Sequence, residues 1–377
     1  MEKRLIYTDY AATSPVEERV LEAMLPFFSE SFGNPSGVHR ASREAAKAVA
    51  EARRKIAAAI GAEYSEIYFT SGGTEADNWA LSAAKGKKIV TTNIEHKAVL
   101  NCCKALEKAG TEASYIPADS DGFVTASQVE EAIDGRTSLV SVMYANNEIG
   151  TVMPIDEIAS VCRKKNVLFH TDAVQAIGNL PIDAGGIDML SCSGHKIGAP
   201  KGIGFLYIRK GISIERLIHG GNQEFGFRAG TENVPAIVGL GEAVKLAVEK
   251  LNTNAEHVRN LRDRLIEGLL KITGARLNGS AENRLCGNVN VSFAGVESEA
   301  VLLMLDAAGI CASGGSACTT GENEPSHVLT AIGVPDEYIN GTIRFTLSHR
   351  NTADEIEYII DKTAEIVGKL RAVRFGK

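Results

Sequence analysis

The chain has 377 residues, of which 44% are hydrophobic and 23% are charged, as in a soluble globular protein with one large and one smaller domain. Its formal net charge of -7 argues against a nucleic-acid partner, because phosphate binding needs a local excess of Lys and Arg. No window approaches the roughly 20 apolar residues that span a bilayer, and the first residues lack the apolar core of a signal peptide, so we expect a cytoplasmic protein without membrane contact.

Short apolar runs alternate with amphipathic helical patterns over the first two-thirds of the chain. The runs predicted to form buried strands are EIYFT, KKIVTTN, ASYIPA, TSLVSVMYA, NVLFHTDA, IDMLSCS and GIGFLYIRK. Helical patterns lie between several of them, at about 73–84, 95–109, 126–133 and 155–165. This alternation predicts an α/β fold in which a mostly parallel sheet lies between helices.

The pattern changes in the last third of the chain. Two longer helical stretches, near 234–251 and 255–273, lead out of the first region. After them come the strands GNVNVSFA and GTIRFTLS, with helices near 297–308 and 352–371. This part of the sequence predicts a smaller α/β domain.

The predicted domain boundary lies near residue 255. The large domain is assigned to residues 15–255, and the small domain to residues 1–14 and 256–377, with a Gly/Ser-rich segment at about 312–325. Open α/β sheets bind ligands at the carboxyl ends of their strands. The residues that directly follow each predicted strand of the large domain are therefore the first candidates for a site.

The string SGGTEADN follows the strand EIYFT and opens a predicted helix. Gly72 and Gly73 permit close approach of the backbone, and Thr74 adds a hydroxyl at a helix N-terminus, where free N–H groups bind anions. The same residues are also compatible with an ordinary turn and helix cap.

Asp172 and Gln175 follow the strand NVLFHTDA. A buried carboxylate needs a partner, because burying the charge alone is costly. A protonated pyridine nitrogen would be such a partner, and the carboxylate would keep that ring cationic. The alternative for Asp172 is a cap of the next helix.

Ser193, His195 and Lys196 follow the strand IDMLSCS, within a run of small residues. A lysine at a strand end can form a Schiff base when its surroundings depress its pKa. Lys196 lies one strand–crossover–strand unit after Asp172. Three strand ends therefore offer an anion cradle, a pyridine partner and a Schiff-base lysine, which together indicate a pyridoxal-phosphate site.

The seven cysteines are Cys102, Cys103, Cys162, Cys192, Cys286, Cys311 and Cys318. Their odd count and the lack of a CxxC pair indicate reduced thiols rather than disulfides or a zinc site. Cys318 lies in the polar segment GGSACTTGENEP, where a buried structural role is not expected, so a chemical role is favoured. Cys311 follows the apolar run DAAGI and is predicted to be a strand residue that faces the core.

Motifs from residue 5 to residue 371 resemble those of cysteine desulfurases of the NifS/IscS type. The matching strings are YTDYAATSPV, FGNPSGVHR, FTSGGTEADN, IEHKAVL, ANNEIGTVMPI, HTDAVQAIGNLPID, SGHKIGAPKGIGFLYIR, RAGTEN, SGGSACT and IRFTLS. The resemblance implies a fold-type-I pyridoxal-phosphate transferase that works as a homodimer.

The resemblance also implies a role for each matching residue around pyridoxal 5'-phosphate. Lys196 would carry the cofactor, Asp172 would pair with the pyridine nitrogen and Gln175 would bond the phenolic oxygen. His96 would stack on the ring and act in catalysis, although without the resemblance it reads as a capping or core residue. The other cofactor ligands would be Gly73, Thr74, Asn147, Ser193, His195 and, from the second subunit, Thr231.

For the substrate L-cysteine, the resemblance implies that Arg344 and Asn34 hold the carboxylate, which suits the bidentate fork of Arg. Arg344 alone would equally fit a structural ion pair. Cys318 would accept the sulfur as a persulfide and release L-alanine, with Lys196 as the base for the α-proton. No resident metal is predicted, although Cys318 could transiently ligate an iron of a cluster.

The persulfide would pass to an acceptor protein, such as an iron–sulfur scaffold or a thiolation protein. The alternatives are a selenocysteine lyase or related β-lyase, which would not need Cys318, and an inactive pyridoxal-binding assembly partner. Two departures from the family pattern affect these expectations. Phe225 stands where the family has an arginine, and the chain ends at Lys377 without the longer tail that some members use to dock a scaffold.

Overall fold

A computed structural model describes residues 5–314 and 325–374. Its strands are β1 (Ile6–Tyr7), β2 (Ile67–Thr70), β3 (Lys88–Thr92), β4 (Glu112–Ile116), β5 (Thr137–Ser141), β6 (Leu168–Asp172), β7 (Met189–Ser193), β8 (Gly204–Ile208), β9 (Ala275–Leu277), β10 (Asn288–Phe293), β11 (Ile310–Cys311), β12 (Ser313–Gly314) and β13 (Thr342–Thr346). Its α-helices are α1 (Glu18–Met24), α2 (Pro26–Ser29), α3 (Arg40–Ala59), α4 (Gly73–Leu81), α5 (Lys97–Lys108), α6 (Ala126–Ala132), α7 (Ile155–Lys165), α8 (Val234–Glu249), α9 (Leu251–Leu270), α10 (Ser298–Ala307), α11 (His327–Ala331), α12 (Asp336–Ile339) and α13 (Ala353–Arg374). Among these helices, none is both long enough and apolar enough to cross a membrane.

The large sheet has seven strands in the order β2-β8-β7-β6-β5-β3-β4. Strand β8 is antiparallel to both of its neighbours, and all other adjacent pairs are parallel. Every residue of β3, β7 and β8 is buried, as expected for strands that helices cover on both faces. The prediction of a mostly parallel α/β sheet is confirmed.

Alternate residues of the strands supply two separate cores. In β2, Ile67 and Phe69 belong to the core under α3 and α8, whereas Tyr68 belongs to the core around Trp79 of α4. This alternation follows from the two-residue repeat of a strand. The sequence analysis assigned no element to residues 18–59, where the structure has α1, α2 and α3.

The small sheet has the order β12-β13-β10-β9 and is antiparallel throughout. Its own core combines residues of α9, β10, β13 and α13 with Ile6 of β1, which pairs in parallel with β11. Strand β1 thus packs on the core of the small sheet, and the assignment of residues 1–14 to the small domain stays a prediction. The predicted boundary at residue 255 falls inside α9, and α11 returns to the large core through Val328 and Leu329.

The topology gathers the candidate residues at one edge of the large sheet. Strands β2, β3, β5, β6 and β7 run in the same direction, so their carboxyl ends lie side by side. The turn before α4, the start of α5 and the segments after β5, β6 and β7 therefore meet there. Strand β13 of the small sheet faces the same place, since Arg344 bonds the segment after β5.

Candidate active site

A cavity of about 380 Å³ lies at this edge of the sheet. Most of the predicted site residues line it: Gly73, Thr74, His96, Asn147, Asp172, Gln175, Ser193, His195, Lys196 and Arg344. They come from the large sheet, from the helices that follow its strands and from β13. The structure thus brings together residues that the sequence separates by more than two hundred positions.

Lys196 ends a single 3₁₀ turn, Gly194–Lys196, directly after β7. Its Nζ donates to the carbonyl of Ala12 at 2.8 Å and also to that of Ala11. Gln175 donates to the same Ala11 carbonyl at 3.1 Å. The segment after β1 therefore forms the wall of the cavity next to the lysine.

Asp172 is buried at the end of β6, and one of its oxygens accepts a hydrogen bond of 2.9 Å from the backbone of Val174. Burial raises the pKa of this carboxyl, and the nearby charges of His96 and Lys196 act in the opposite direction. A carboxylate in such a place is stabilised by a cationic partner in the cavity.

A second carboxyl, Asp77 of α4, lies beside Asp172 and also lines the cavity. Burial and the charge of Asp172 raise the pKa of Asp77 well above its ordinary value. Its Oδ1 is buried without a hydrogen-bond partner, 3.7 Å from Nε2 of His170. Burial lowers the pKa of His170 to about 3, so that ring is neutral and cannot balance the charge. The charges of His96 and Lys196 favour the ionised form of Asp172, whereas burial and the charge of Asp172 favour the protonated form of Asp77.

The turn before α4 has the shape of an anion cradle. Gly72 has φ 151°, which favours glycine, and a Cβ on Gly73 would lie 2.8 Å from Cγ2 of Val174. An adjoining hollow of about 390 Å³ is lined by Gly72, Gly73, Thr74 and Ser193, among others. The backbone here is too crowded for side chains but is open to a ligand at the N-terminus of a nine-residue helix.

Two histidines line the cavity. His195 is hydrogen-bonded to the hydroxyl of Thr13 at 3.1 Å, and burial, with the charges of Lys196 and Lys201, lowers its pKa to about 4. His96 accepts a hydrogen bond from the backbone of Ala98 at 3.1 Å and so caps α5. His96 therefore has the capping position that the sequence allowed, and it lines the cavity as well.

Arg344 of β13 is buried, and its guanidinium is already partly bonded. Nη2 lies 2.9 Å from Oδ1 of Asp9, and Nη1 donates to the carbonyl of Asn147 at 3.0 Å. Nε is buried and has no hydrogen-bond partner in the part of the chain that the structure describes. Arg344 thus forms the ion pair that the sequence left open as an alternative, and it still faces the cavity.

Two predicted ligands lie away from the cavity of this chain. Asn34 is exposed, and its Oδ1 accepts a hydrogen bond of 3.0 Å from the backbone of Ser36. Thr231 is exposed as well. Cys318 lies outside the described residues.

The sequence analysis missed Glu148 and His327, which also line the cavity. Glu148 is 3% exposed, and burial raises its pKa to about 7. It accepts a hydrogen bond from the hydroxyl of Ser326, while His327 is bonded to the carbonyl of Glu95 at 3.0 Å. The position of Glu148 in the motif ANNEIG was the available signal.

The cysteines in the described part of the chain are all free thiols, and burial raises the pKa of each one: Cys102, Cys103, Cys162, Cys192, Cys286 and Cys311. A raised pKa disfavours the thiolate, which is the nucleophilic form. Cys311 is a strand residue as predicted, but it is half-buried instead of packed fully into the core. Within residues 5–314 and 325–374, no group of three or more His, Cys, Asp or Glu side chains could hold a metal ion.

Comparisons with known proteins show which family this chain resembles. The family model "Aminotransferase class-V" matches residues 6–359. "Cysteine desulfurase IscS" of Methanosarcina thermophila is 51% identical over 98% of this chain and 94% of its own length. A solved NifS-like protein is 40% identical with a TM-score of 0.91, over 97% of this chain and 100% of that one. A solved "SspA in complex with cysteine" is also 40% identical, with a TM-score of 0.82, over 92% of this chain and 100% of that one.

Proposed function

The chain belongs to the aminotransferase class-V family and has the cysteine desulfurase function of its relatives, and we propose that Lys196 carries the cofactor and Cys318 the sulfur in this reaction. The proposal rests above all on one observation: Lys196, Asp172 and the cradle of α4 face a single cavity. The overall conversion takes L-cysteine and a thiol of the enzyme to L-alanine and an enzyme persulfide.

The donor set of the cavity fits pyridoxal 5'-phosphate as the cofactor. The turn at Gly72 and Gly73, at the start of α4, would offer backbone N–H groups to a phosphate. Beside Asp172, the buried Oδ1 of Asp77 has no hydrogen-bond partner among the described residues. Lys196 and Gln175 would hold the ring from the side, and His96 would stack on it. When bound there, pyridoxal phosphate supplies an electron sink that acidifies the α-proton of an amino acid.

The two buried carboxyls of the cavity, Asp77 and Asp172, would have different roles. A proton on Asp77 leaves Asp172 as the charged member, free to hold a cationic ring nitrogen. Asp77 would then set the charge of Asp172 without touching the cofactor nitrogen itself. This division explains why two acidic side chains are buried together.

Lys196 would also act as the base. A lysine amine that is released from its covalent bond accepts protons and has reach through its four-carbon stem. The carbonyls of Ala11 and Ala12 already hold Nζ at the cavity wall, which positions it for that transfer.

Arg344 would bind the carboxylate of L-cysteine. Its buried Nε has no hydrogen-bond partner among residues 5–314 and 325–374, so it would be available to a ligand in the cavity. Asp9 fixes the orientation of the guanidinium through Nη2. The predicted role of Asn34 stays a prediction, because in this chain its side chain bonds Ser36.

Cys318 would accept the sulfur. Its thiolate attacks the substrate sulfur, a new S–S bond forms as the C–S bond breaks, and the electron pair stays with the carbon skeleton that leaves as alanine. Ser313, near the end of the described chain before Cys318, pairs with Arg344 in the small sheet.

We further propose a homodimer as the active unit. Phe28, Phe32, Val38 and Phe225 are 62%, 70%, 89% and 51% exposed, which is unusual for large apolar side chains. A two-fold partner that covers them would let Thr231 complete the phosphate site of the other subunit. The sulfur acceptor would be a protein such as an iron–sulfur scaffold or a thiolation protein.

The experiment that tests the function is product analysis after incubation with L-cysteine, with and without a thiol reductant. We expect alanine in stoichiometric excess over sulfide until the reductant releases the enzyme-bound sulfur. A selenocysteine lyase or β-lyase forms no enzyme persulfide. Release of free sulfide at the same rate with and without the reductant would therefore favour one of these two activities.

A further inference from the structure

Glu148 is a third acidic side chain on the wall of the cavity, in addition to Asp77 and Asp172. The proposed cofactor site accounts for Asp77 and Asp172 but gives Glu148 no role. Glu148 lies in the segment after β5 and is 3% exposed. Its carbonyl accepts hydrogen bonds from Asn288 at 3.0 Å and Asn290 at 3.1 Å, so the segment that ends in the small sheet fixes its place.

The carboxyl of Glu148 adds a negative charge to the cavity. Burial raises its pKa to about 7, so the group is mainly ionised at about pH 8. The hydroxyl of Ser326 donates a hydrogen bond to Oε2, which favours the ionised form. The charges of three side chains that line the same cavity act in the same direction: Arg344, His96 and Lys97.

This negative charge lies next to the group that we propose to bind the α-carboxylate of the substrate. Nη1 of Arg344 donates to the carbonyl of Asn147, the residue before Glu148, at 3.0 Å. An amino acid whose α-carboxylate binds Arg344 therefore has its side chain within the electrostatic field of Glu148. Two like charges repel each other more strongly in a buried cavity than in water, because the effective dielectric constant is lower there.

We infer that Glu148 is a specificity-determining residue: its carboxylate disfavours amino acids with an anionic side chain and so directs the site to a neutral side chain such as that of L-cysteine. This inference rests on the proposed function, since it needs the cofactor on Lys196 and the ligand carboxylate on Arg344. Arg344 does not offset the repulsion, because Asp9 and the α-carboxylate share its charge. The thiol of L-cysteine has an ordinary pKa of about 8.5 and is mainly neutral at neutral pH, so it is not repelled.

L-aspartate and L-asparagine are a matched pair of probes for this inference. They have nearly the same size and the same α-amino and α-carboxyl groups, so the ratio of their dissociation constants reports the effect of the side-chain charge. Both are titrated into the cofactor-loaded enzyme at about pH 8, where Glu148 is ionised, and binding is followed through the cofactor absorbance. We expect the wild type to bind L-asparagine about tenfold more tightly than L-aspartate.

Variants of Glu148 separate its charge from its packing. Glu148→Gln keeps the size of the side chain and removes the charge, so the preference for L-asparagine should fall to about twofold or less. Glu148→Asp keeps the charge, so the preference should stay above about fivefold. Glu242→Gln is the matched control, because that carboxylate is also buried but bonds Arg19 and Lys55 and does not line the cavity. Its preference should equal that of the wild type.

Equal affinity of the wild type for the two probes would overturn the inference. The same holds if Glu148→Gln keeps the wild-type preference, or if Glu242→Gln loses it to the same extent. Normal alanine formation from L-cysteine together with equal affinities would overturn this inference alone. A wild-type enzyme whose cofactor absorbance responds to neither probe, and which forms no alanine from L-cysteine, would overturn the proposed function itself and this inference with it.

Discussion

The two walls of the cavity differ in how their charges are compensated. On the large-sheet side, Asp172 and Asp77 are buried with raised pKa values, and one oxygen of Asp77 has no partner. On the small-sheet side, Arg344 is bonded to Asp9, and Asp9 is bonded to Ser313. Among the described residues each wall keeps one buried atom without a hydrogen-bond partner, Oδ1 of Asp77 and Nε of Arg344, but the first wall buries two acidic groups together and the second pairs opposite charges.

This difference separates two tasks in one active site. Buried and incompletely compensated groups are characteristic of sites that bind a charged cofactor. Side chains that are bonded to one another instead hold each other at fixed distances, because each hydrogen bond limits the motion of the next side chain. We therefore assign the chemistry of the α-carbon to the large-sheet wall, and the orientation of substrate and thiol to the small-sheet wall.

The largest effect should come from Lys196, the residue on the large-sheet wall that we propose to bind the cofactor covalently. Lys196→Ala should abolish alanine formation and remove the visible absorbance band of the bound cofactor. Absorption spectra and alanine assays on the purified variant check both results. A variant that keeps the band and the activity would show that another group carries the cofactor.

Substitution of Asp172 and substitution of Asp77 should lower the rate of alanine formation by very different amounts. Asp172→Asn removes the charge that would hold the ring cationic, so the rate should fall by about two to three orders of magnitude at normal cofactor occupancy. Asp77→Asn is the matched control: it replaces the carboxyl that we propose to be the protonated member of the pair, and the rate should fall by less than about tenfold. Equal decreases in rate in the two variants would contradict the different roles proposed for Asp172 and Asp77.

On the small-sheet wall, Arg344→Lys should act on binding. Lysine cannot reproduce a bidentate fork, so kcat/KM for L-cysteine should fall by about 30- to 100-fold, mainly through KM. Arg262→Lys is the control, because that arginine is buried in the same region but bonds backbone carbonyls of Arg284 and Leu285 away from the cavity. Steady-state kinetics distinguish the two, and an unchanged KM in Arg344→Lys would leave Arg344 as a structural ion pair only.

The smallest effect should come from the residue that reaches across the proposed dimer. Thr231→Val removes one hydroxyl from a phosphate site, which should weaken cofactor binding by about tenfold and leave the dimer intact. Cofactor titration of the apoenzyme and sedimentation at micromolar concentration measure the two quantities. A fully active monomer that retains its cofactor would contradict the shared site.

The large-sheet wall was largely predictable from the sequence. Asp172 and Lys196 directly follow apolar strands, and parallel strands bring their carboxyl ends together by geometry alone. Asp77 was not identified, because its chemistry depends on burial between α4 and β6, which an acidic residue on a helix does not reveal. Helix α3 was also missed, although Ala45, Val49 and Ile56 have helical spacing.

The small-sheet wall was less predictable. Arg344 and Asp9 are separated by 335 positions, and no local pattern specifies such a pair. Glu148 and Ser326 are likewise 178 positions apart. Motif resemblance predicted that Arg344 belongs to the site, but its pairing with Asp9 depends on how the segment after β1 packs against β13.

The role of Cys318 is the central claim of this account, and a mass spectrum tests it most directly. Wild type and Cys318→Ala are incubated with L-cysteine, digested without reductant and compared peptide by peptide. We predict one added sulfur on the wild-type peptide that contains Cys318, with no alanine turnover in the variant despite normal cofactor absorbance. Alanine production at the wild-type rate in Cys318→Ala, or the added sulfur on another cysteine, would contradict the mechanism.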